Sequence, residues 1–303
     1  MKALKLAFLI SCLALLGCGS SSTKNEKAKN VDEIDTLTDD NFKWPAPREY
    51  QVVDDFLDGK VANYDDVLKE ESLSKIPRDE LEEPSDVPKS IDKAILACYR
   101  GNYNYANNIF DSLLKEYRKN PIYWNQVGNC FMMRGDDRKA LLFYNKARDL
   151  KKDYAPPINN IGVIFEKSSF DQKALKSYEQ AKKVSSFSLT PIFNLAQVYA
   201  KYGFIEEGKQ LFESMVRLNS KDQDALHGLA FLQMVLGDYN GAIQLFDRMP
   251  SEYYLKPEVG VNLAYTLFLS GNTDKARDVL SDLKPSKNED VLAYVSKIRS
   301  LIK

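Results

Sequence analysis

A chain of 303 residues with 44% apolar and 28% charged residues has the composition of a globular protein, which excludes a disordered or collagen-like polymer. Its formal charge of −1 argues against a nucleic-acid protein held by phosphate contacts. A single histidine, His227, is too little for a Ser/His/Asp triad, a Cys/His pair or a two-histidine zinc site. No carboxylate, nucleophile and base fall at a spacing that suggests catalysis, so no enzyme activity, cofactor or metal is expected.

The chain opens with Lys2 and Lys5, then an unbroken small and apolar run from Leu6 to Leu16. This is the charged-then-apolar order of a secretory leader, and it is too short to span a bilayer, which takes about 20 residues. Leu15, Leu16, Gly17 and Cys18 resemble the lipobox of bacterial lipoproteins, with Leu16 larger than the residue most often found there. The resemblance implies a signal peptide over residues 1–17, lipidation of Cys18, and Gly19 favouring the outer membrane; the other reading is a plain secretory leader cut elsewhere. Residues 18–43 then read as the lipidated cysteine and a polar tether.

In an oxidising compartment Cys98 and Cys130 could pair. Both fall in helical patterns, and helix axes 8 to 10 Å apart make the short Cα separation of a disulfide difficult, so two thiols are the favoured expectation.

From Gly19 to Asp86 there are 19 acidic residues against 9 basic ones, so this arm and the rest of the chain have opposite sign. Within residues 44–86, Trp44, Tyr50, Val53, Phe56 and Leu57 have roughly helical spacing, followed by Tyr64, Val67 and Leu68, with prolines as breakers. Two readings stay open: a segment that packs on the basic remainder, or a solvated spacer.

Beyond Val87 the sequence repeats with a period of 34 residues. Gly101, Gly135, Ser169, Gly203, Gly237 and Gly271 form one column. Ala94, Gly128, Gly162, Ala196, Ala230 and Ala264 form a second, and Ala106, Ala140, Ala174, Gly208, Ala242 and Ala276 a third. A bulky column holds Phe110, Tyr144, Tyr178, Phe212, Phe246 and Leu280. In each unit an apolar-periodic stretch ends at the Gly or Ser and a second begins just after it, which predicts a helical hairpin. The small columns are expected where the two helices of a hairpin approach, and the bulky column in the wedge between hairpins.

Period and columns resemble the tetratricopeptide repeat, whose opening motif the second unit carries as Trp124, Val127, Gly128 and Phe131. The resemblance covers residues 87–288 as six units starting near Val87, Pro121, Ala155, Leu189, Gln223 and Pro257, with residues 289–303 as a capping helix. It implies an all-α solenoid, a right-handed superhelix of helical hairpins, whose first helices line a concave ligand face. The inward positions include Asn125, Asn129, Met133, Phe193, Gln197, His227, Phe231 and Tyr265. Ile91 and Ile95 replace the residues with which chaperone-binding members clamp a terminal carboxylate. Asn160, Asn194 and Asn262, with Asn129, resemble the asparagine ladder that holds an extended peptide in some members. The alternative for the asparagines is helix-surface filling, and for the Met and aromatic positions core packing.

The resemblance thus implies a scaffold binding proteins of the cell envelope, held on the membrane by an N-terminal lipid, with self-association compatible and no nucleic acid. Its nearest functional likeness is to the six-repeat pilotins of type IV pilus secretins, from which the long arm departs. A regulator docking peptidoglycan synthases or hydrolases is the rival expectation.

Overall fold

Helix follows helix from Ile91 onward in the computed structural model, which describes residues 91–286 and 288–302. The leader, Cys18, the tether, the arm and residues 87–90 lie outside the described residues. The helices are α1 (Ile91–Tyr99), α2 (Tyr103–Tyr117), α3 (Pro121–Met133), α4 (Asp137–Leu150), α5 (Ala155–Lys167), α6 (Asp171–Val184) and α7 (Leu189–Lys201). They continue as α8 (Ile205–Leu218), α9 (Gln223–Leu236), α10 (Tyr239–Phe246), α11 (Ser251–Tyr254), α12 (Pro257–Leu269), α13 (Thr273–Asp282) and α14 (Glu289–Leu301). The fold is all-α, a series of tetratricopeptide-type hairpins closed by α14. The chain divides into two compact bodies, whose described parts are residues 91–195 and 196–302.

The 34-residue column at the turns has a common backbone cause. Gly101, Gly135, Gly203, Gly237 and Gly271 all have φ between 77 and 91°, and Ser169 has φ 59°. In every case the residue after the column residue sends its N–H back five residues, as in Asn102 to the Ala97 carbonyl at 2.8 Å and Phe170 to the Phe165 carbonyl at 2.8 Å. This is the Schellman ending, which needs a left-handed residue at that point. Ser169 is the one non-glycine there among the described residues. Ser169→Gly is expected to stabilise the protein by about 0.5–1 kcal/mol, the relief of the Cβ clash less the added freedom of the unfolded chain. A lower urea midpoint for the variant would contradict this.

The residue that ends the first helix also caps the second. Asn102, Asp136 and Asp238 accept the N–H of Tyr105, Lys139 and Gly241, satisfying donors that a helix start leaves open. Phe170 and Phe204 occupy the same position without a side-chain cap.

Packing follows the small columns, with one refinement. The aromatic rings do more than fill wedges between hairpins: a Cβ on Gly128 would lie 2.5 Å from the Tyr144 ring, and one on Gly162 would lie 2.7 Å from the Tyr178 ring of its own hairpin. Phe212 instead reaches the next hairpin, where a Cβ on Gly228 would meet its ring at 2.5 Å. Glycine is present where a ring takes the space of a side chain.

The even period is broken near the C-terminus. In the fifth unit the second helix, α10, stops after 8 residues, and Pro250 precedes the one-turn α11; the residue before a proline is pushed out of helical geometry. In α14 the buried side is Val291, Tyr294, Val295 and Ile298, while Leu292 faces solvent. Arg299 of α14 donates to the Leu280 carbonyl at 2.8 Å, and Arg277 of α13 to the Ile302 carbonyl at 3.0 Å, tying the closing helix to the hairpin it shields.

The expectation of two thiols is overturned. Cys98 on α1 and Cys130 on α3 form a disulfide with a Cα–Cα distance of 5.3 Å, and both are buried. The cysteines lie on facing sides of adjacent helices. Each Cα stands about 2.3 Å from its axis, so axes 8 to 10 Å apart leave facing Cα atoms about 3.4–5.4 Å apart.

Candidate partner-binding face

The expected partner-facing residues sit where their repeat positions put them, on the first helices, but nearly all are closed off. Asn125, Asn129, Asn160, Asn194, Asn262, His227 and Phe193 have no exposed surface, and Phe231 and Tyr265 are also buried. Met133 and Gln197 are half-buried.

In the first body the amides bond to one another. Asn194 Nδ2 donates to Asn159 Oδ1 at 2.9 Å, and Asn159 Nδ2 to Asn160 Oδ1 at 3.0 Å. Asn160 Nδ2 donates to Asn125 Oδ1 at 3.1 Å and to Asn129 Oδ1 at 2.9 Å, and Asn129 Nδ2 to Gln126 Oε1 at 3.0 Å. Tyr144 adds its hydroxyl to Asn129 Oδ1 at 2.7 Å. The links between units join residues 35 apart: Asn125 with Asn160, and Asn159 with Asn194.

The ladder therefore joins the first helices of successive hairpins through a sealed polar network, as amides can because each both donates and accepts. Asn125, Asn159, Gln126 and Tyr144 join the network beyond the residues expected in the ladder. The sequence held a signal for Tyr144, since a buried tyrosine hydroxyl needs a partner, and units two and three alone carry Tyr in the bulky column. Tyr178 meets the same need on Glu166 at 2.7 Å.

The second body has the same 35-residue link in another chemistry: Asn262 Nδ2 lies 3.0 Å from His227 Nε2. Tyr294 of the closing helix donates to Asn262 Oδ1 at 3.0 Å, which fixes the amide with its nitrogen toward the ring. Nε2 of His227 is then the acceptor and Nδ1 carries the proton. Among the described residues His227 Nδ1 and Gln197 Nε2 are buried without a hydrogen-bond partner.

Burial lowers the His227 pKa to about 4, against a smaller upward pull from Asp224. The unfolded chain takes up a proton near pH 6.5 while the folded one does not until about pH 4, so stability is full above pH 6.5 and falls as the pH drops through that window. The loss is expected to reach up to about 3 kcal/mol. Urea midpoints from pH 7 to pH 4.5 in the wild type and His227→Gln measure it; parallel pH profiles would refute it.

Among the described residues no group of three or more His, Cys, Asp and Glu side chains could hold a metal ion, and no helix is long and apolar enough to cross a membrane.

A family model for the tetratricopeptide repeat matches residues 91–155, and one for the PPR repeat matches residues 194–220. No curated protein matches. Among solved structures, the chain is similar to PilW, a widely conserved type IV pilus biogenesis factor, with 17% identity and a TM-score of 0.56 over 67% of this chain and 96% of that one. It is similar to pilF of Pseudomonas aeruginosa, with 17% identity and a TM-score of 0.56 over 73% of this chain and 97% of that one. The Cut9–Hcn1 hetero-tetramer of the APC/C gives 17% identity and a TM-score of 0.58 over 72% of this chain, which spans 44% of the Cut9–Hcn1 chain it matches. The chain carries tetratricopeptide repeats, and its fold is the α-solenoid of proteins built from them.

Proposed function

We propose that this protein is a lipid-anchored scaffold on the periplasmic side of a bacterial outer membrane, where it binds proteins and assists assembly of an envelope machine of the pilus, secretion or motility class. The repeats supply the general part: hairpin stacks of this kind are protein-interaction modules. The compartment rests on one observation, the Cys98–Cys130 disulfide. Disulfides persist in oxidising compartments and are rare in the cytosol. With the leader and Cys18, it supports a protein that has left the cytosol. Lipidation with more than one acyl chain would hold it on a membrane, as one chain would not. The structural likeness to two pilus proteins over nearly their whole length supports the machine class.

Two experiments test the reading. Radiolabelled palmitate should enter the wild type and not Cys18→Ala, and only the wild type should remain with outer-membrane fractions. Crosslinked capture from the native envelope should then recover pilus, secretin or motility components. Recovery of cell-wall synthases or hydrolases instead would transfer the function to peptidoglycan regulation, and unaltered membrane retention of Cys18→Ala would remove the anchor.

A further inference from the structure

Positive charge in the repeats is concentrated on two helices. The first helix α3 has no charged residue and α5 only Glu166 and Lys167, so in these hairpins charge falls to the second helices. On α4 and α6 the exposed charged residues are six basic, Arg138, Lys139, Lys146, Lys173, Lys176 and Lys183, and two acidic, Asp149 and Glu179. The balance reverses in the other units: α2, α8 and α13 together expose four basic and seven acidic residues, and α10 has no charged residue. The excess therefore belongs to two successive hairpins of the first body and not to the repeat as such.

Neighbouring acids do not neutralise it. Asp149 is held by Lys152 in the loop after α4 at 2.6 Å, and Asp137 by Lys167 of α5 at 2.8 Å. Arg138, Lys146, Lys173, Lys176 and Lys183 are in no salt bridge among the described residues.

Among these cations stands Leu142, 64% exposed, the most exposed large apolar side chain of the described residues. Arg138 and Lys146 lie one turn to either side of it on the same face of α4, and Lys176 holds its position in the next unit, 34 residues on. A leucine ringed by long flexible cations suits entry into a membrane surface, where the apolar group sinks and the charged ends stay at the headgroups. Five of the six exposed cations are lysines, compact charges without the planar fork that seats one carboxylate. That composition fits a surface of many mobile anions better than a single acidic protein.

We propose that the outer face of α4 and α6 docks on an anionic phospholipid surface, with Leu142 entering the headgroup boundary while Arg138 and the lysines meet lipid phosphates. The inference rests on the membrane-side placement proposed above and deepens it: an anchor holds the chain near a bilayer, and this face lays the first body against it. The first helices of the same hairpins are then turned away from the lipid.

The test uses the full-length chain carrying Cys18→Ala, so that no acyl group contributes and the leader is common to every arm. It is sedimented with vesicles of mixed phosphatidylglycerol and phosphatidylcholine, and with vesicles of phosphatidylcholine alone. Binding is expected to the anionic vesicles and should fall at high salt, which screens the attraction. Arg138→Gln, Lys146→Gln, Lys176→Gln and Lys183→Gln together should weaken it by about 100-fold or more, and Leu142→Ser alone by about tenfold. A control that removes equal charge elsewhere, Arg217→Gln, Lys221→Gln, Lys275→Gln and Lys284→Gln, should bind within about threefold of the parent. Equal binding to both kinds of vesicle, an equal loss in the control, or no loss in the four-charge variant would each overturn the proposal. Absence of vesicle binding would overturn it too, and capture of an acidic protein through the same residues would then assign the face to that protein. Circular dichroism of each variant keeps loss of fold distinct from loss of docking. Palmitate labelling reads the anchor and vesicle binding reads this face without it, so either reading can fail alone.

Discussion

Removal of the Cys98–Cys130 disulfide is expected to cost about 3–4 kcal/mol, the chain-entropy value for the 32-residue separation it closes. The loss should fall first on the N-terminal repeat. In a stack of hairpins each unit is held mainly by its neighbours, and a terminal unit has only one. Here that unit is also the weakest by sequence: α1 is 9 residues long, and Lys93 stands where later units place Val, Ile or Leu. The covalent link to α3 substitutes for the missing neighbour. Hydrogen exchange after Cys98→Ser with Cys130→Ser should accelerate in α1 and α2 well before α5 and α6, and the urea midpoint should drop by a matching amount. Coincident unfolding curves for oxidised and reduced protein would refute this. So would alkylation of either cysteine in unfolded, unreduced protein.

What the sequence made legible was whatever repeats. Six occurrences of a small residue at 34-residue spacing define the hairpins and the left-handed turn, because backbone sterics act alike in every unit. The sequence left unreadable the features set by a single pair of facing surfaces. Cys98 and Cys130 are 32 residues apart rather than 34, so the period did not bring them into register, and only the true separation of facing Cα atoms shows that they meet. The asparagines illustrate a middle case. Their recurrence was visible, but whether an amide on a first helix faces a groove or its neighbour depends on rotation of the helix by a fraction of a turn. The observed links join residues 35 apart, one more than the repeat, and that single extra residue is what points each amide back along the stack. Phe193 and Gly228 occupy the corresponding positions of units four and five, so the series of amide or imidazole pairs is interrupted there.

Loss of the Asn160 amide should be among the most damaging single changes in the repeats, at about 3–4 kcal/mol. Its nitrogen serves both Asn125 and Asn129, and its oxygen accepts from Asn159. Asn160→Ala therefore removes three hydrogen bonds at a fully buried position, at about 1–1.5 kcal/mol each, and a buried polar group deprived of its bond costs more than the bond was worth. Asn194→Ala, which removes the bond to Asn159, should cost at least about 1–2 kcal/mol. A double-mutant cycle tests the network: adding Asn125→Ala to Asn160→Ala should cost about 1–2 kcal/mol less than the sum of the two alone, since the partner left stranded by the first change is removed by the second. Strict additivity would mean that the amides stabilise the repeats independently. The coupled result would identify the buried ladder as the element that fixes how one hairpin registers on the next, leaving the aromatic and small columns to supply the bulk of the packing.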